Sequence, residues 1–152
     1  VLHSEVHPHN NFCEVAGVRY EDLHTETLSP TASHYINHMT SVAHTGSLAE
    51  IIAVLLPCPW TYVEIGQRIT EQVNPSPSHP FYEWIQFYNN EEMNGTTQWF
   101  CNKLDELAEQ ATEEERNRMK DHFIKSCELE YLFWEMAYTQ EKWPLSQLSL
   151  SK

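Results

Sequence analysis

The chain has 152 residues, long enough for a single domain with its own core, and one α-helical domain over 1–152 is expected. Nine Lys and Arg stand against 22 Asp and Glu, a formal net charge of −13. That balance repels phosphate backbones and anionic bilayers, so neither nucleic acid nor a membrane surface is an expected partner.

From the first residue, Val6, Phe12, Val15 and Ala16 recur at helical spacing, and Gly17 suits the position just past a helix end. Pro8 is compatible if the helix begins or kinks there. Residues 18–28 lack sustained periodicity and read as a connector with at most a short helix. Ser29-Pro30 then supplies an N-cap and a first-turn proline, predicting a helix to Thr45 that ends at Gly46. Its inner stripe is Tyr35, Met39, Val42 and Ala43. Ser47 and Glu50 form a capping-box pattern, so another helix starts at Leu48. Ile51, Ile52, Val54, Leu55 and Leu56 make it apolar on nearly every face, as in a central helix. Pro57-Cys58-Pro59 follows at once; each proline lacks an N–H, which frees the carbonyls of Ala53 and Leu55 and bends the helix around the cysteine. Asn74 to Ser78 is a loop. Pro80 opens a helix carrying Phe81, Trp84, Ile85 and Tyr88, and Asn89-Asn90 ends it. A helix over 91–110 presents Trp99, Phe100, Leu104 and Leu107, with Gly95 as its weak point. Thr112 and Glu115 form a second capping box, and the last long helix runs from Glu113 to about Gln140. Residues 141–152 form a tail in which Trp143-Pro144 docks and the remainder frays. Nothing reads as an alternating strand, so the class is all-α.

The longest uncharged apolar run, Ile51 to Trp60, is short for a bilayer span, and no basic-then-apolar leader opens at Val1, so a soluble cytoplasmic protein is expected. Cys13, Cys58, Cys101 and Cys127 include no C-x-x-C pair, which argues against a zinc site or a disulfide scaffold and for reduced thiols. Histidines His34 and His38 have one-turn spacing, and Glu21-x-x-His24 has the spacing of carboxylate-bridged di-iron bundles, but no second copy exists. No metal and no cofactor is expected. In the last helix Phe123, Cys127, Trp134 and Ala137 share one side, and Glu130 lies in the middle of that stripe. A carboxyl there is desolvated, so its pKa rises toward the range of a general acid, unless it sits at the stripe's edge or pairs with an arginine. Cys58 packs as a small hydrophobe or, given its flanking prolines, is mounted as a nucleophile. Tyr35, Tyr62, Tyr88, Phe133 and Trp134 can wall a flat ring or simply fill the core.

Four segments together resemble the TenA family, the thiaminase II or aminopyrimidine aminohydrolase proteins: SPTASHYINHM at 29–39, LLPCPWTYVEIG at 55–66, HPFYEWIQFY at 79–88 and ELEYLFWEMAY at 128–138. The resemblance covers nearly all of the chain and points to the branch that keeps the proline-flanked cysteine. It implies an all-α bundle of the haem oxygenase type without haem, a homotetramer, and hydrolysis of a thiamin-related aminopyrimidine, or of thiamin itself, in thiamin salvage. The family's nucleophile falls on Cys58, its catalytic glutamate on Glu130, and its pocket aromatics on Tyr35, Tyr62, Tyr88 and Phe133. One feature departs: the family's fold begins before the residue aligned with Val1, and its early helices and pyrimidine-binding aspartate have no match here. The chain is therefore expected to be the C-terminal two-thirds of a longer domain. The rival readings are a non-catalytic pyrimidine-binding or regulatory protein, a di-iron oxidase on the same fold, and a bare helical interaction module.

Overall fold

Helix starts follow the capping chemistry closely. In the computed structural model, which describes residues 2–24 and 26–145 with side chains from His9 onward, the described residues form eight helices and no strand. These are α1 (Leu2–Ala16), α2 (Tyr20–Leu23), α3 (Pro30–Thr45), α4 (Leu48–Leu55), α5 (Pro57–Val73), α6 (Tyr82–Tyr88), α7 (Glu91–Gln110) and α8 (Glu113–Thr139). The Ser29 hydroxyl accepts from the Ala32 N–H, and both capping boxes, Ser47 with Glu50 and Thr112 with Glu115, are closed in both directions. Gly17 ends α1 with φ +71°, a left-handed conformation that glycine adopts without strain. The helix runs through Pro8 rather than starting there. The start of α6 lies two residues after Pro80, because Phe81 takes the N-cap position. The ladder is interrupted at Leu56, whose own torsions stay helical and whose N–H still reaches Ile52 O at 2.9 Å. The proline pair therefore divides the helix into α4 and α5 without unwinding the backbone between them.

The chain falls into two compact units, residues 1–27 with 59–98 and residues 28–58 with 99–152, so α5 and α7 each contribute to both. In the first unit α1 packs on α6, with Phe12 against Phe81 at 5.2 Å and Trp84 at 6.2 Å between ring centroids. Among the described side chains of α1 Cys13 is buried, whereas Val15, expected inside, is exposed; Val6 lies outside the described side chains. Val63, Tyr88 and Met93 form the core cluster, joined by Tyr62, Trp84 and Phe87. The Gln67 amide donates to Asn94 at 2.6 Å, and the Asn90 side chain accepts from Met93 N–H at the start of α7. Trp99, among the apolar residues of this helix and its first residue in the second unit, is exposed.

In the second unit α3, α4 and α8 pack against one another pairwise. Ile52, Ala53, Val54 and Leu56 are almost wholly buried. They lie within Leu48–Val73, the one stretch among the described residues that is long and apolar enough, by length and composition alone, to cross a bilayer. Glu50 at the start of α4 accepts from Ser47 N–H at 2.7 Å and from Arg118 Nε of α8 at 3.0 Å, which fixes one helix to the other. The Glu141 carboxylate accepts from the Thr31 N–H, and the Trp143 indole donates to Leu28 O at 2.8 Å, so the start of the tail docks on α3; its Ser/Leu remainder lies outside the described residues.

Glu50→Ala should cost about 1–3 kcal/mol at neutral pH, since it removes a cap and a charge-assisted bond. The Ser47 bonds first, then Arg118, hold the Glu50 pKa below 4.5, so its contribution is present above that value and fades as pH falls through the lower native one. Urea midpoints at pH 7 and pH 3 check this, with the gap between variant and wild type narrowing at the acid end. Two glycines should respond with opposite signs. A Cβ at Gly66 would lie 3.1 Å from the Tyr88 backbone, whereas one at Gly95 meets nothing within 4 Å. Gly95→Ala should add about 1 kcal/mol of helix propensity, and Gly66→Ala should lose stability because overpacking, about 1–3 kcal/mol, outweighs that gain. Thermal midpoints of the two variants test the contrast.

Candidate functional site

The α3–α8 interface of the second unit places polar groups where water is largely excluded. Tyr35 on α3 and Glu130 on α8 are 5% and 4% exposed, and Cys58, at the start of α5, is half-buried. The Tyr35 hydroxyl and the Cys58 thiol both face the Glu130 carboxyl. Neither the Tyr35 hydroxyl nor Glu130 Oε2 has a partner at hydrogen-bonding distance, so Tyr35 meets the carboxyl more loosely than a formed bond while still close enough to act electrostatically. Such spacing is common in sites that tighten around a ligand.

Burial pushes the Glu130 carboxyl above the ordinary carboxylate range; Tyr35 and Cys58 pull it down and do not cancel that effect. Burial, followed by the Glu130 charge, raises the Tyr35 phenol far above its usual value, so it remains a neutral donor. Phe133, three residues after Glu130, is half-buried on the same helix. The inner face of α8 runs through Met119, Ser126, Leu129 and Glu130, a register turned slightly from the expected one: Cys127, Trp134 and Ala137 are exposed. Glu130 belongs to both registers. The Cys127 thiol is pushed up by burial and then by the Glu130 charge, which disfavours its thiolate.

Structure thus brings together Tyr35, Cys58 and Glu130. Tyr62 and Tyr88 belong to the other unit, where their rings meet at 4.8 Å and Trp84 lies 4.9 Å from Tyr88. In that unit an open depression of about 380 Å³ is lined by Trp60, Thr61, Glu64, Ile65 and Arg68. All five come from α5 alone, and one helix face cannot enclose a ligand. Among the described residues no three His, Cys, Asp or Glu side chains are grouped to hold a metal. Glu21, His24 and His34 are exposed, while His38 is buried, so the one-turn histidine pair does not present two ligands to one place. Buried His38 and Ser126 were missed by the periodicity of single helices. Their signal is spacing, for His38 lies three residues after Tyr35 and Ser126 four before Glu130.

A family model described as TENA/THI-4/PQQC matches residues 1–140. The chain belongs to that family. A Bacillus subtilis (strain 168) protein named aminopyrimidine aminohydrolase is 39% identical over 92% of this chain and 58% of its own length. A Halalkalibacterium halodurans protein of the same name is 34% identical over 93% of this chain and 63% of its own. The chain therefore spans about three-fifths of the length of these curated relatives. Among solved structures, a TenA homologue protein from P. horikoshii OT3 superimposes with a TM-score of 0.75 at 24% identity, over 90% of this chain and 62% of that one. It shows the all-α fold of the TenA proteins.

A raised native pKa at Glu130 has a definite sign for stability. The contribution is full below 4.5 and is lost as pH rises through the raised value, because the folded state must then bury a charge. Glu130→Gln removes that charge, so it should gain on wild type by about 1–3 kcal/mol as pH increases. Urea unfolding from pH 5 to pH 9 measures this; parallel curves would show that the carboxyl titrates normally.

Proposed function

We propose that this TenA-family chain carries the catalytic residues of an aminopyrimidine aminohydrolase, with Cys58 as nucleophile and Glu130 as general acid and base. The observation that carries the reading is the buried Glu130 carboxyl with the Cys58 thiol and Tyr35 hydroxyl facing it. Relatives named for this activity at 39% and 34% identity support the choice of reaction.

In the proposed step, Cys58 Sγ bonds to the pyrimidine ring carbon beside a ring nitrogen as the thiol proton passes to Glu130. Ring electrons move toward the exocyclic methylene, its C–N bond breaks, and the departing amine takes the proton from Glu130 and leaves as ammonia. Water then adds at the methylene and gives its proton to Glu130. The S–C bond breaks, aromaticity returns, and Glu130 hands the proton back to the thiol. The product is the hydroxymethyl pyrimidine. Cleavage of thiamin would follow the same course with the thiazole as leaving group. Tyr35 faces the carboxyl, and it enters with Tyr62, Tyr88 and Phe133 as a substrate-contacting ring through the family resemblance. The resemblance also carries a cytoplasmic homotetramer in thiamin salvage, which sedimentation of the purified protein tests for assembly.

Cys58→Ser and Glu130→Gln should each lower ammonia release from 4-amino-5-aminomethyl-2-methylpyrimidine by at least about 100-fold while the far-ultraviolet circular dichroism stays helical. Full turnover by Cys58→Ser overturns the nucleophile assignment. Binding of the pyrimidine without turnover by the wild type would favour a non-catalytic role.

A further inference from the structure

The described residues contain five buried side-chain polar atoms without a hydrogen-bond partner, and four of them lie along α3 and α8: Tyr35 Oη, His38 Nε2, Ser126 Oγ and Glu130 Oε2. Native interiors leave few such atoms unpaired, because each costs about 1–3 kcal/mol. Their positions are not scattered. Tyr35 and His38 are one turn apart on α3, Ser126 and Glu130 one turn apart on α8, and the two helices pack together. His38 then continues the row, with its ring centroid 5.6 Å from that of His122. His122 is 28% exposed and places Nε2 3.8 Å from Glu50 Oε1, which also binds Arg118. A line of polar groups thus runs from the buried Glu130 carboxyl to solvent.

We propose that this seam binds ordered water joining Glu130 Oε2 to His38 Nε2 by way of Ser126 Oγ, and that His38 is a positioning residue which keeps the Glu130 proton in exchange with solvent. Several polar partners in a closed space are what a buried water requires. The charged and titratable groups around His38 are His34 on its own helix, His122 and Lys125 on α8, and Glu50 on α4 beyond His122. Burial first, then the Lys125 charge, lower the His38 pKa from its ordinary value, and the His122 backbone carbonyl opposes them, so Nε2 is suited to accept a hydrogen bond from the water and to exchange a proton through it. The Glu130 proton exchanges along the water with His38 Nε2, which passes a proton on toward solvent and is neutral before and after, so the proton count of the reaction is unchanged. The role in turnover rests on the reaction proposed above; the water site does not.

High-resolution crystal structures of the full chain and of Ser126→Ala test the site, and kinetics of His38→Gln tests the role. Water within hydrogen-bonding distance of Ser126 Oγ and Glu130 Oε2 is expected in the wild type and should be lost or displaced in Ser126→Ala. A dry seam overturns the proposal. His38→Gln should lower kcat roughly 10-fold, short of the 10²–10⁴ attached to an acid–base group itself, with KM unchanged and a larger solvent isotope effect. Imidazole should restore part of the kcat of His38→Ala. An unaltered kcat, pH profile and isotope effect in folded His38→Gln overturns the relay even if water is present. If the wild type releases no ammonia, the assigned reaction fails, and the water site is judged by density alone.

Discussion

Burial of Ile52, Ala53, Val54 and Leu56 sets the arrangement of the unit that holds Cys58, because a helix apolar on so much of its circumference has to be covered on more than one side. Each large side chain among these contributes up to about 1.5–3 kcal/mol on leaving water, and α3 and α8 supply the cover. Glu50 ties the first turn of α4 to α8 through Arg118. With that end fixed and Leu56 buried at the other, the backbone two residues further on has little freedom. Pro57 and Pro59 stiffen the same place by fixing their own φ angles. Cys58 therefore owes its position to the apolar helix before it.

The same cover gives two buried carboxylates opposite fates. Glu50 and Glu130 are 7% and 4% exposed, so burial alone would raise both. Glu50 accepts from the Ser47 N–H and from a guanidinium, and its pKa falls. Glu130 faces a phenol and a thiol, weaker donors than a guanidinium, and its pKa stays raised. One carboxylate is thereby a fixed charge that joins helices and the other a group able to exchange a proton. Such divergence between neighbouring environments is how a fold separates structural from chemical work.

Helix ends were legible in the sequence because caps are local: a serine or threonine and a glutamate three residues later answer the same unpaired N–H groups in any context. Faces were less legible, since each is decided by a neighbour that one helix cannot reveal. Val15, Trp99 and Trp134 are large and apolar yet exposed, while Cys13, His38 and Ser126 lie inside. Along α8 the apolar residues fall on several sides, with Ile124, Tyr131, Leu132 and Tyr138 exposed, so periodicity fixed the stripe only to within part of a turn. Glu130 survived that error because it lies between the two registers, beside Leu129 and one helical repeat after Phe123. One-turn spacing from Tyr35 and Glu130 places His38 and Ser126, but that their polar atoms are orphaned becomes visible only when α3 and α8 are brought together.

Two thiols lie within electrostatic reach of Glu130, and charge distinguishes them. Ionising Cys127 is disfavoured first by its partial burial and then by the neighbouring Glu130 charge, and its thiol is accordingly pushed up. Cys58 faces the carboxyl and lowers its pKa, which means the thiol proton is offered to the carboxylate. Passing that proton across leaves one negative charge before and one after, so burial does not oppose the transfer as it opposes creation of a second charge. In the proposed reaction, activation of the sulfur is therefore tied to the protonation of Glu130. The low dielectric that makes Glu130 costly to ionise is then what makes a proton exchange with Cys58 feasible.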